Sequence, residues 1–498
     1  MLSLITTAIV GFLLGLIYKF FTRDGRSFPP GPFGIPILGS LYLLGEYPEK
    51  STMKLAEKYG NVFSLRIFNK RFVCLIGTKA NREISLNNNV ADRKGIYVVN
   101  MAKGNDDPPG VIHSRYSSQE RADRQFLHTM FTDVNALPDN NFEIIAQRET
   151  TKLVEKFTAM FEGGGAHYVR DEIRMSVFTT MSSLVFGSRN QRSDEEIAKM
   201  KQIVAAFVSL EDFFTDKQIL LPEYLPWLSK IWLPKAAKMF LATCKGILIY
   251  IEDGIEKHKK TFDAENDPRD MIDCYLKHIA QGRTKKDIVY NDHNMKILIF
   301  DTFLGSIKTC STTIEWALVY LAAHQDVQAR LYEEIKLILG SNGNVTYRDI
   351  MKMPYAKATL YEVSRFCNLL PNAVPRVSSN DITLNGYFIP KGTTFLMNLY
   401  SCNMQEDKWK YPNEFNPDNF LGEDGKFKDN DEFMAFGIGS RKCAGPDAGN
   451  QQVFMIMIKV VQKFIIKPKT DNTKIDYKGL PGFVRMPAKQ KLRLELRT

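Results

Sequence analysis

The stretch FGIGSRKCAG, Phe436 to Gly445, is a glycine-rich loop that presents one cysteine, Cys443, with an apolar helix, expected to start near Pro446, behind it. Gly437 and Gly439 let the backbone bend closely beneath a flat ligand, and Gly445 leaves the far side of the sulfur uncrowded. Arg441 and Lys442 beside the sulfur, with the N-terminal end of a helix starting near Pro446, favour the thiolate over the thiol. Such a loop can hold a thiolate toward a metal. The competing reading is a buried free cysteine in a turn, since free Cys often behaves as an inert small hydrophobe. That reading is adopted for Cys74, Cys244, Cys274, Cys310, Cys367 and Cys402. GIGSRK lacks the third glycine of a dinucleotide loop, and no Lys-Ser/Thr follows at phosphate-loop spacing.

The loop resembles the axial-ligand loop of haem-thiolate monooxygenases, the cytochromes P-450, whose pattern is F-x-x-G-x-R-x-C-x-G. Phe436, Gly439, Arg441, Cys443 and Gly445 fill its fixed positions. The resemblance implies haem b, iron protoporphyrin IX, as cofactor, with the Cys443 thiolate as metal ligand. Thiolate ligation pushes electron density toward the iron and favours O–O cleavage.

The chain has 498 residues and no visible internal repeat. Its seven cysteines are odd in number and at least thirty residues apart, which suggests neither a disulfide framework nor a CxxC zinc site. A reducing, cytosol-facing compartment follows. The net charge of +10 comes without a long Lys/Arg run, so no nucleic acid is expected; an acidic protein partner or an anionic membrane surface fits better.

Leu2 to Tyr18 is an uncharged run of seventeen residues. As a helix it would measure about 26 Å, close to the roughly 27 Å hydrocarbon core of the endoplasmic reticulum bilayer. Lys19, Arg23 and Arg26 follow the run, placing its C-terminal side in the cytosol. This polarity is opposite to that of a cleaved secretory signal. Residues 1–21 are therefore expected to be a transmembrane signal anchor, and residues 22–40, rich in proline, a stiff hinge. No boundary is evident beyond, so 41–498 reads as one catalytic domain. The sequon at Asn344 would face the cytosol and stay unmodified.

Val62 to Ile67 and Phe72 to Ile76 have strand patterns, while Phe142 to Phe161, Glu195 to Val208 and Met295 to Leu321 have helical ones. Glycines 163–165 should break the first helix. Pro222 to Trp227 is an apolar, proline-punctuated loop that could meet a membrane, gate a pocket or simply pack. The body is mostly α with a minor β-sheet region, as the resemblance also implies.

Further landmarks of the resemblance follow in order. The run 301–318 is similar to the family's oxygen-binding helix, where the helix locally widens around an acid and a threonine. Here Thr309 is retained while Lys308 replaces the acid. Thr309 is the expected catalytic hydroxyl. Lys308 either snorkels to solvent or lines the distal channel. Glu362 and Arg365 match the family's E-x-x-R pair, and Asn419 stands in place of the third, cationic member. Arg376, Arg441 and Arg124 match propionate-contacting positions, with Glu120 where tryptophan is usual. Beyond Cys443, Ala448, Gly449, Asn450 and Gln452 depart from the family's cationic pattern.

The likeness to animal microsomal members implies a membrane-anchored monooxygenase of the endoplasmic reticulum acting on a small lipophilic substrate. Its electrons would come from an NADPH-dependent flavoprotein reductase, with a cytochrome b-type donor as a second candidate. The altered distal region leaves open a haem-thiolate isomerase or dehydratase, and the combined departures leave open a non-catalytic haem protein.

Overall fold

The computed structural model describes residues 28–36, 38–68, 70–104, 109–138, 140–187, 193–215, 220–224, 226–229 and 231–497. The expected anchor, residues 1–21, lies outside them. Among the described residues no helix is long and apolar enough to cross a membrane.

The described chain divides into two compact units. The first contains residues up to Lys94, Pro371–Cys402 and Gly437–Arg441. It holds helices α1 (Pro48–Tyr59) and α2 (Gly77–Leu86). Its strands are β1 (Val62–Ile67), β2 (Lys70–Leu75), β3 (Arg376–Val377), β4 (Ile382–Leu384), β5 (Tyr387–Ile389) and β6 (Thr394–Met397). The order β1-β2-β6-β3 makes a four-stranded sheet, antiparallel except between β2 and β6, and β4 pairs β5 as a hairpin. Val73, Leu75, Ile84, Phe395 and Met397 form its core. Pro29 and Pro30, in the described part of the proline-rich segment, are fastened along β1. The Ser64 amide donates to the Pro30 carbonyl (2.7 Å) and its hydroxyl to that of Pro29 (2.8 Å).

The second unit contains Gly95–Leu370, Asn403–Phe436 and the chain from Lys442 onward. It is helical: α3 (Tyr97–Lys103), α4 (Ser118–Thr132), α5 (Phe142–Phe161), α6 (Arg170–Phe186), α7 (Asp194–Thr215), α8 (Lys235–Lys259), α9 (Met271–Ala280), α10 (Asp292–Ala323), α11 (Gln325–Leu339), α12 (Pro354–Cys367) and α13 (Pro446–Lys463). A hairpin of β7 (Phe464–Pro468) and β8 (Leu492–Leu496) completes it. The helix starts follow the chemistry of orphaned amides. Asn141, Asn291 and Asp270 cap α5, α10 and α9 with side-chain oxygens, while Pro354 and Pro446 open α12 and α13.

Helix α10 is the spine. Its 32 residues span about 48 Å, packed against α6, α8, α12 and α13. Leu298, Phe300 and Trp316 are fully buried, as expected of a helix apolar around most of its circumference. The segment 222–227 is not a simple loop. It contributes to two short helical pieces, Leu220–Tyr224 and Pro226–Ser229, because Pro226 fits a first helical turn; Trp227 remains exposed.

Candidate active site

The cysteine loop is fixed by its glycines and by backbone hydrogen bonds. Gly439 has φ +75°, and a Cβ there would lie 2.0 Å from the Ser85 carbonyl oxygen, so only glycine lets the loop pass. Ahead of α13, Gly445 makes room for the Phe131 ring: a Cβ would sit 3.1 Å from it. The Cys443 amide donates to the Phe436 carbonyl (2.8 Å), closing the loop within the second unit. Among the seven cysteines Cys443 is the exposed one. Burial pushes the thiols of Cys244, Cys274, Cys310 and Cys367 up to about 12, so these stay protonated. The inert-cysteine reading holds for them.

Within the first unit two guanidinium groups are buried, Arg376 at 3% and Arg441 at 2% exposed. Arg376 donates to the carbonyls of Ser85 (3.1 Å) and Ile438 (3.3 Å), and Arg93 donates to the Arg441 carbonyl (3.0 Å). Ser85 thus receives Arg376 on the carbonyl that Gly439 skirts.

In the second unit Arg124 donates to the Lys442 carbonyl at 2.7 Å, which puts it beside the cysteine loop. It also donates to the Val111 carbonyl (3.3 Å) and pairs with Glu120, whose side chain is 1% exposed. The residue in the usual tryptophan position therefore does more than remove a donor: it offsets the Arg124 charge. The i,i+4 spacing on α4 could have shown this pairing in the sequence. Nearby Asp123 is fully buried and accepts from Gln119 (2.9 Å). Burial, reinforced by the charges of Asp301 and Glu120, raises its pKa to about 7.

On α10 the distal hydroxyls turn back on their own helix. Thr302, Ser306, Thr309, Ser311 and Thr313 each donate to the carbonyl four residues earlier, at 2.5–2.9 Å. The Thr309 O–H donates to the Gly305 carbonyl, and its oxygen keeps lone pairs that can accept. The helix is unbroken α through this region, without the widening that the resemblance implies. Lys308 is half-buried.

Glu362 and Arg365 form a fully buried bidentate pair on α12. The Asn419 amide donates to both Glu362 oxygens (3.2 and 3.3 Å), and the Asn416 backbone adds a third donor at 2.8 Å. Arg365 donates further to the carbonyls of Asn403, Tyr411, Pro412 and Glu414. The pair thus ties α12 to the meander that leads into the cysteine loop.

These residues suit a haem bound through a thiolate. Within the second unit Cys443 is an accessible sulfur of the kind that ligates haem iron as a thiolate; within the first unit Arg376 and Arg441 are buried cations of the kind that pair with propionates. Arg124 contributes less charge than the resemblance implies, because Glu120 already engages it.

The family model for cytochrome P450 matches residues 29–494. Among curated proteins the chain is 31% identical over 470 residues to cytochrome P450 2D26 of Rattus norvegicus, covering 92% of this chain and 91% of that protein. It is 29% identical over 497 residues to vitamin D(3) 25-hydroxylase of Sus scrofa, covering 99% and 98%. Over 483 residues it is 29% identical to cytochrome P450 2D14 of Bos taurus, covering 96% and 95%.

Proposed function

Since the chain belongs to the cytochrome P450 family, oxidoreductases of the monooxygenase type that bind haem b through a cysteine thiolate, we propose that Cys443 is that ligand and that the enzyme oxygenates a small lipophilic substrate. The observation that carries the assignment is the exposure of the Cys443 sulfur on a glycine-fixed loop, while the other cysteines are buried or half-buried. When bound, the haem supplies the oxygen-activating redox chemistry.

The protein's part is positioning. Arg376 and Arg441 are the propionate partners, with Arg124 a weaker third. Thr309 can accept a hydrogen bond on its oxygen while its own O–H donates to the Gly305 carbonyl. The usual acid is absent, and Lys308 in its place either snorkels to solvent or lines the distal channel, where it would set how efficiently protons arrive. One oxygen atom of O₂ would enter a substrate C–H bond and the other leave as water with two protons and two electrons, the electrons arriving singly from an NADPH-dependent flavoprotein reductase, the second alternatively from a cytochrome b-type donor. By the family resemblance Leu304, Ala373, Val374 and Phe483 stand at substrate-contacting positions, and all four are apolar, which accords with a lipophilic substrate.

The same reading makes residues 1–21 an endoplasmic reticulum anchor, 22–40 a hinge and 41–498 the catalytic domain, facing the cytosol and membrane lipid. Incubation of the haem-loaded protein with reductase, NADPH and a panel of fatty acids, sterols and xenobiotics tests the activity. The expected result is substrate-dependent product that carries label from ¹⁸O₂. Turnover independent of reductase and O₂ would instead identify an isomerase, and absence of turnover across a panel that shifts the haem spectrum would indicate a non-catalytic haem protein.

A further inference from the structure

We infer that Lys103 is a positioning residue which, through Asp301, holds Ile112 against the Gly305 turn of α10 and so sets the room beside Thr309. The inference deepens the haem-thiolate reading and rests on it for its consequence at the pocket. Lys103 Nζ lies 2.6 Å from Asp301 Oδ1, and both side chains are 0% exposed. The other carboxylate oxygen accepts the backbone N–H groups of Val111 (2.9 Å) and Ile112 (3.0 Å). Gly110 permits this close approach: its φ is +104°, and a Cβ would lie 2.4 Å from Asp301 Oδ2. Ile112 Cδ1 in turn sits 3.6 Å from the Cβ position of Gly305, whose carbonyl receives the Thr309 hydroxyl. A continuous set of contacts therefore runs from Lys103 to the turn that orients Thr309.

Charge explains why a lysine occupies this buried place. Asp301 faces Asp123, and Asp123 also feels Glu120; these are three buried carboxyl groups on α4 and α10. Arg124 answers Glu120 and Lys103 answers Asp301. Asp123 is left as the group that retains a proton. Without the Lys103 cation an ionised Asp301 would stand in an apolar interior, at a cost large enough to expel it or protonate it. Either response loosens the two N–H groups that carry Ile112.

Amide hydrogen exchange reads the latch directly, whether or not haem is bound. Val111 and Ile112 should be protected in the full-length wild type and exchange at least about tenfold faster in Lys103→Met. Combining Lys103→Met with Asp301→Asn should restore protection, because the amide oxygen still accepts both N–H groups and no buried charge needs a partner. In haem-loaded protein, spectral titration with imidazole and 4-phenylimidazole gives a ratio of dissociation constants that reports the room beside Gly305. Lys103→Met should shift this ratio about tenfold, the scale of a methylene group in an apolar pocket, in the same direction as Ile112→Ala. Wild-type exchange and a wild-type ratio in Lys103→Met would overturn the inference. Should that variant fail to fold, unprotected Val111 and Ile112 in the double variant would overturn it equally. Failure of reductase-driven turnover in the wild type would count against monooxygenation and leave both readouts intact.

Discussion

Arg365 grips Glu362 bidentately, with Nε to Oε2 and Nη2 to Oε1 both at 2.7 Å, and neither side chain reaches solvent. Asn419 completes the arrangement as a neutral donor where the family pattern has a cation. Removing one member of a buried ion pair leaves the other uncompensated. Glu362→Ala should cost about 3–5 kcal/mol and abolish recovery of haem-loaded protein. Asn419→Ala removes only hydrogen bonds and should cost about 1–2 kcal/mol, with haem still bound. Urea midpoints and the haem-to-protein absorbance ratio check both; equal effects would contradict this division of roles.

A pH dependence follows from His258. Its Nδ1–H donates to the Gly254 carbonyl (2.7 Å) and its Nε2–H to Asp270 (2.9 Å), so both ring nitrogens carry protons. Burial works against the charged ring, but the hydrogen bond and charge of Asp270 outweigh it and the pKa is raised. Because the folded pKa exceeds the unfolded one, the contribution is complete below the unfolded value of about 6.5 and is lost as pH rises through the folded value. Wild type should lose stability across that rise, measured by urea unfolding. His258→Gln should remove that component; an unchanged slope in the variant would exclude His258 as its source.

Asp123 gives a second titration with a different window. Burial raises its carboxyl from the usual range to about 7. The folded state therefore holds the proton more tightly than the unfolded chain, and stability falls as pH climbs from about 4 toward 7. Asp123→Asn cannot lose a proton. It should flatten this slope and stabilise the protein by a few kcal/mol, roughly, at pH 8. Parallel curves for variant and wild type would refute the assignment.

The distal helix can be tested by coupling, the fraction of NADPH electrons recovered in product. Thr309→Ala removes the acceptor oxygen and should lower coupling several-fold, on the order of 1 kcal/mol in partition. Lys308→Glu restores an acid at the position where the family carries one and should raise coupling. Unchanged coupling together with unchanged substrate affinity in Lys308→Glu would remove Lys308 from the proton path.

The order of elements was largely legible in local pattern. Val62–Ile67 and Phe142–Phe161 form as their periodicities predict, and the long helix runs only a few residues further at each end, from Asp292 to Ala323. The helix predicted to end at Val208 continues to Thr215, since the apolar residues beyond it favour helix as readily as loop. The cysteine loop was legible because its constraints are written in its own residue types, glycine at 439 and 445 and a proline opening α13, although the groups those glycines accommodate, Ser85 and Phe131, come from far away in sequence. Lys103 and Asp301 were not. They are 198 residues apart and each looks like an ordinary surface charge until the fold buries both. Glu120 lay between these cases: its departure from the pattern was visible, but its consequence for Arg124 needed the helix geometry.

Thiolate ligation by Cys443 is the claim on which the rest depends, and the absorption spectrum of the reduced, carbon monoxide-bound protein tests it most directly. Wild type should show the long-wavelength band of a thiolate-ligated ferrous carbonyl, and Cys443→Ala should lose it. A wild-type band at the position of an imidazole-ligated haem, or a long-wavelength band that survives Cys443→Ala, would contradict it.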